Sequence, residues 1–134
     1  MSDPKVEAYV SKLAASEQEF VNYLRNFTPG IDPEIREQVK WNSCSFFYNG
    51  EMQPFDPKEY KRDLLVVNLH RGKFLLVFPT GAKIADSVLK GKNYPDGRKI
   101  VTIESLDELK KIESSLKAGI LDWIKNCLIS SNIK

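Results

Sequence analysis

The stretch that most limits what this chain can fold into is Asp63 to Phe78, where two alternating runs flank the dipeptide Arg71-Gly72. A two-residue loop there makes an antiparallel hairpin and pairs Leu69 with Phe74, Val67 with Leu76 and Leu65 with Phe78. Those six residues form one apolar face. The other face carries Val66, Asn68, His70, Lys73, Leu75 and Val77, a mixture that predicts partial cover by a helix and a polar end near the turn.

The apolar spacing on either side of this hairpin is different. Asp3-Pro4 is a helix start, a capping side chain followed by proline at the first helical position, and Val6, Tyr9, Val10 and Leu13 follow on one face up to about Ala15. Ser16 and Glu19 form a capping box for a second helix with the stripe Phe20, Tyr23, Leu24 and Phe27, stopped by Pro29-Gly30. Asp32-Pro33 repeats the cap-plus-proline device, and Ile35 with Val39 predicts a short third helix running into Trp41. Alternation begins at Ser43. The run Ser43 to Tyr48 ends at Asn49-Gly50, which suits a type I′ turn, with a return strand over Glu51 to Phe55 that Pro54 confines to an edge. Ala82 to Leu89 predicts a short helix closed by Gly91, and Tyr94-Pro95-Asp96-Gly97 a turn into a strand from Arg98 to Ile103. Ser105 and Glu108 then box the start of a long helix with the stripe Leu106, Leu109, Ile112, Leu116, Ile120, Trp123, Ile124 and Cys127. Helices, then strands, then a closing helix read as one α+β domain over residues 1–134. Its antiparallel sheet has about five strands, with the N-terminal helices and the long C-terminal helix packed on it.

Length and composition agree with a single domain: 134 residues with 42% hydrophobic and 28% charged side chains can bury a core. No apolar run approaches the roughly 20 residues of a membrane helix, and the first residues lack a signal-peptide pattern, so a cytoplasmic protein with no membrane partner is expected. Cys44 and Cys127 are too far apart for a metal or redox motif and read as reduced thiols. The formal net charge of +2 is too small for a dedicated nucleic-acid binder. It is unevenly spread: residues 1–37 hold four bases and seven acids, residues 38–99 eleven bases and six acids. The split reads either as solvated faces of different elements or as an anion-preferring surface on the sheet region.

Candidate chemistry is sparse. His70 is the single histidine, which excludes a His-rich metal site and leaves Cys44 with His70 as the one nucleophile and base pair that can be named. The glycines Gly81, Gly91 and Gly97 lack the spacing of a phosphate-cradling loop. Asp3, Glu7, Glu17 and Glu19 offer carboxylate oxygens to a hard cation, but two of them, at helix starts, already have capping or dipole roles. The most suggestive group is Lys40 and Trp41 together with Lys83, Arg98 and Lys99. If the sheet brings these segments together, they supply an arginine fork and an aromatic face for a small anionic molecule. The leading expectation is thus a non-enzymatic module with no cofactor. A protein-interaction or homodimer role is its alternative on the residues alone.

The runs Lys40-Trp41-Asn42-Ser43-Cys44-Ser45-Phe46, Phe78-Pro79-Thr80-Gly81-Ala82-Lys83-Ile84, Leu89-Lys90-Gly91 and Tyr94-Pro95-Asp96-Gly97-Arg98-Lys99 resemble, in order and spacing, the YdhG-like family of domains of unknown function. The similarity extends from the first helix to Trp123-Ile124, with Cys44 where the family usually has proline. The resemblance implies a curved antiparallel sheet packed by helices, in a bacterial cytoplasmic setting. It implies no established reaction. Some members are described as frataxin-like iron chaperones, a role that needs a carboxylate-rich surface. Only the mildly acidic N-terminal third answers to that, and no iron-site residues are carried over.

Overall fold

The structure, a computed structural model, describes residues 3–50, 62–70 and 72–129. Among them the chain forms helices α1 (Pro4–Ser11) and α2 (Ala15–Phe27), then strands β1 (Ile35–Lys40), β2 (Ser43–Tyr48), β3 (Asp63–His70) and β4 (Lys73–Phe78). A 3₁₀ turn at Gly81–Lys83 follows, then strands β5 (Lys92–Asn93) and β6 (Lys99–Ile103) and helices α3 (Leu106–Lys111) and α4 (Glu113–Ile129). The six strands make one antiparallel sheet in the order β1-β2-β3-β4-β6-β5, so the fold is α+β. Among the described residues no helix is long and apolar enough to cross a membrane.

The central hairpin has the register its alternation dictates, with Val67 opposite Leu76, Leu69 opposite Phe74 and His70 opposite Lys73. Gly72 takes the positive φ of 80° in its turn. Leu65, Val67, Phe74, Leu76 and Phe78 join Val101 and Ile103 of β6 in a single core with Val6, Val10, Phe20 and Leu24 of the first two helices and Leu109, Leu116, Ile120 and Trp123 of the last two. Phe20 stacks on Phe74 at 3.8 Å between ring centroids. Burying side chains of this size contributes about 2 kcal/mol each.

Several local expectations are overturned. Residues Ile35 to Lys40 form an edge strand rather than a third helix, hydrogen-bonded to β2 from Ile35 opposite Tyr48 to Lys40 opposite Ser43. Two apolar residues four apart share a face in a helix and in a strand alike, so Ile35 and Val39 fit both periods. Asp32 serves a turn, its Oδ1 accepting from the Glu34 amide at 2.8 Å. The tight turn of this sheet region is Trp41-Asn42, at φ 54° and 56°, the two positive values of a type I′ loop. Asn49-Gly50 does not form such a turn: neither residue has positive φ, and the Asn49 amide bonds Glu34 O at 2.8 Å. The return strand expected over Glu51 to Phe55 lies outside the described residues.

Smaller corrections concern helix ends. The first helix stops at Ser11, and α2 starts at Ala15, where the Ala14 amide donates to Glu17 Oε1 rather than Ser16 and Glu19 forming the box. The segment Ala82 to Leu89 is not a helix beyond the 3₁₀ turn. It is pinned to α4 instead, with Asn126 Nδ2 donating to Lys83 O at 2.6 Å and the Ala85 amide to Asp122 at 3.3 Å. The long closing helix is broken at Ile112, which leaves the helical region at φ −102°, ψ 13°, although Ser105 caps α3 as its sequence requires.

Candidate functional site

Because Leu65, Val67, Leu76 and Phe78 face the core, Val66, Asn68, Leu75 and Val77 project from the opposite side of the sheet. The sequence reading put a helix over part of this side. Among the described residues every helix contributes its buried side chains to the single core on the other side, and Val66, though buried, is not part of that core. Cross-strand pairing aligns Val66 with Val77 and Val77 with Ile100, giving an apolar floor three strands wide.

This floor is the base of a groove of about 650 Å³. Trp41 and Ser43 line it on the β1–β2 side, Asn68 and Leu75 on the central hairpin, Pro79 and Thr80 at the end of β4, and Asp96 and Arg98 on the β5–β6 side. Thr80 is also the acceptor for the buried Trp123 indole N–H at 2.9 Å, so the groove's rim is anchored through the core to α4.

The loop bearing Arg98 is closed by three backbone and side-chain contacts. The Gly97 amide bonds Tyr94 O at 3.0 Å, the Tyr94 amide bonds Arg98 O at 2.9 Å, and the Arg98 amide bonds Asp96 Oδ1 at 3.1 Å. Gly97 stands at φ 99°, which an L side chain adopts only with strain. Arg98 Nε donates to Asp96 Oδ2 at 2.9 Å, and its guanidinium lies 4.7 Å from the centroid of the Tyr94 ring. On the facing wall the Lys40 ammonium lies 4.7 Å from the centroid of the Trp41 ring and 2.6 Å from Asp63 Oδ2. Asp63 is buried and also accepts from Gln38 Nε2 at 3.3 Å.

The five residues singled out in the sequence thus separate. Trp41 and Arg98 line one groove, and Lys40 stands beside it holding the Trp41 ring. Lys83 lies in the 3₁₀ turn and is not among the lining residues. Lys99 points the other way: it is fully buried, and its Nζ bonds the Asp86 carboxylate and Leu89 O. That contact holds the Asp86 carboxyl below the usual aspartate range, through Lys99 first and Asn93 second. The missed residues are Val66, Leu75, Val77 and Ile100. For the first three the signal is the apolar content of the second face of the hairpin, whose mixture predicts helix contact instead; Ile100 joins them from β6 through its pairing with Val77.

Cys44 and His70 do not form a site. Cys44 lies in the core, and burial above all, with the Glu37 charge second, pushes its thiol up to about 12. His70 is exposed at the β3–β4 turn. Most acids of the N-terminal third already have partners. Asp3 caps α1, Glu17 accepts the Ala14 amide, and Glu7 and Glu37 both bind Arg25, at 3.0 and 2.8 Å. A second depression of about 880 Å³ lies over this Arg25 cluster, whose charges are spent on tying α1, α2 and β1 together. Among the described residues no three His, Cys, Asp or Glu side chains gather as a metal site, so the iron reading finds no donor set there.

No family model matches the chain, and comparison with curated proteins and with solved structures yields no match either.

Proposed function

We propose that this chain is a non-enzymatic binding module that holds a small anionic ligand in the groove on the sheet face opposite the core. The observation that carries the reading is the groove itself, which sets an exposed tryptophan and an arginine on opposite sides of an apolar floor. Its volume lies within the roughly 300–1,000 Å³ of small-molecule sites, and the mixture of apolar lining with a few placed polar groups is what such sites use. Trp41 adds weight: it is 53% exposed and stands at φ 54°, a conformation that costs an aromatic residue about 1–2 kcal/mol. Strain of that kind collects where a side chain has work to do.

Membership of the YdhG-like family is part of the same proposal. The runs that carry that resemblance supply Trp41, Ser43, Pro79, Thr80, Asp96 and Arg98, all of which line the groove.

The test is a thermal-unfolding screen of the protein against carboxylates and phosphorylated metabolites. A ligand at about 100 times its Kd adds roughly 2.7 kcal/mol, several degrees of Tm at this size. The shift is expected to disappear in Arg98→Ala. No shift with any anion, or a shift that Arg98→Ala retains in full, contradicts the reading.

A further inference from the structure

The groove's polar end is more selective than a simple positive patch. Arg98 is held on two sides. Asp96 accepts from its Nε with both carboxylate oxygens, at 2.9 and 3.2 Å, and its guanidinium carbon lies 4.7 Å from the Tyr94 ring centroid. The terminal pair, Nη1 and Nη2, makes no hydrogen bond among the described residues. Two parallel N–H donors of one planar guanidinium match the two oxygens of a carboxylate.

Charge narrows the choice. Lys92 also lies near the Tyr94 ring, with its Nζ 5.3 Å from the centroid. The groove itself is lined by Arg98 and Asp96, Lys92 flanks them without lining it, and Asp86, in the adjoining depression, is paired with Lys99. Arg98, Lys92 and Asp96 therefore leave one net positive charge beside Tyr94. One bound negative charge neutralises it, whereas an organic phosphate, with close to two charges at neutral pH, places the second against Asp96. The rest of the groove is mainly apolar, with Val66, Val77 and Ile100 as its floor, Ser43, Asn68 and Thr80 at its edges and Trp41 on its far side. A flat apolar body fits that floor and an aromatic wall.

Resting on the binding-module reading, we infer that the ligand class is the planar apolar monocarboxylate. Its carboxylate is bound by the Arg98 fork and its ring lies on the floor beside Trp41. Asp96 is a positioning residue: it orients the fork and sets the preference for one negative charge over two.

The experiment is calorimetric titration at pH 7.5 and low salt with three probes sharing one ring system: 1-naphthoate, 1-naphthyl phosphate and the uncharged 1-naphthylmethanol. The wild type is expected to bind naphthoate at least tenfold more tightly than either of the others. Arg98→Lys keeps the charge and loses the fork, so it is expected to weaken naphthoate tenfold or more and leave the alcohol unchanged. Asp96→Asn is expected to narrow the carboxylate-over-phosphate preference at least fivefold. Should Asp96→Asn not fold, the wild-type ranking and Arg98→Lys decide the matter alone. Phosphate binding as well as naphthoate, or Arg98→Lys binding naphthoate like the wild type, overturns this inference and leaves the binding module standing. Failure of all three probes to bind also overturns this inference, and the binding module falls with it only if the anion screen of the protein gives no shift either.

Discussion

Trp41 is costly in its backbone and costly in its exposure, and neither cost is needed to make the turn. Asn42 beside it is a residue type that tolerates the left-handed region, and a glycine at 41 would do so without strain. Trp41→Gly is therefore expected to leave Tm unchanged or a few degrees higher while weakening ligand binding at least tenfold. A drop in Tm equivalent to 2 kcal/mol or more would mean that the indole serves the fold instead. Cys44 gives a second test at this scale. Its thiol is raised in the folded protein, so its contribution to stability is complete below the unfolded thiol's ordinary value near 8.5 and is lost as pH rises from there toward about 12. The stability difference between the wild type and Cys44→Ala is expected to shrink by about 1 kcal/mol per pH unit above 9, measured by urea unfolding. An unchanged difference would show that the thiol ionises as freely folded as unfolded.

At the scale of elements, what could be read from the sequence was whatever only one geometry satisfies. The hairpin β3–β4 was legible because its alternation, its length and Gly72 agree on one register. The strand β1 was not, because Ile35 and Val39 are four apart and its partner β2 lies across a turn made by Trp41, a residue no turn rule selects. The segment after β4 was misread because its conformation is dictated from outside it. Lys99 threads its side chain beneath the segment, and a Cβ at Gly81 would lie 2.4 Å from Lys99 Cβ. Gly81→Ala is expected to destabilise by about 1–3 kcal/mol through overpacking, read by thermal or urea unfolding. The exposed partner of Lys99 predicts an acid dependence. Asp86 is depressed below its ordinary value, so its contribution is present above the unfolded aspartate range and is lost as pH falls through the folded value. Wild type and Asp86→Asn are expected to differ in Tm at pH 7 and to converge as pH falls through and below the ordinary aspartate range. Parallel Tm curves across that range would contradict the ion pair.

Over the whole molecule, the sheet commits one face to the core and presents the other as a floor, and the two kinds of side chain needed to hold a ligand arrive at that floor from opposite directions. Trp41 and Arg98 belonged to one group in the sequence, and the fold puts both on the groove. Lys99, next in sequence to Arg98, goes to the other side because strand neighbours alternate. That alternation was available in advance, since a strand from Arg98 to Ile103 already separates the two, but which of its faces meets the core was not, and that decides which of two adjacent cations faces out. The claim on which the rest depends is that this face, and not the larger depression over the Arg25 and Glu37 cluster, is where a ligand binds. The most direct measurement is a two-dimensional amide and indole NMR titration of the wild type with 1-naphthoate. Shifts confined to the Trp41 indole and the amides of Ser43, Val66, Leu75, Val77, Arg98 and Ile100 are the predicted result. Shifts gathered at Asn22, Arg25 and Glu37, or spread without pattern over the sheet and helices, would contradict it.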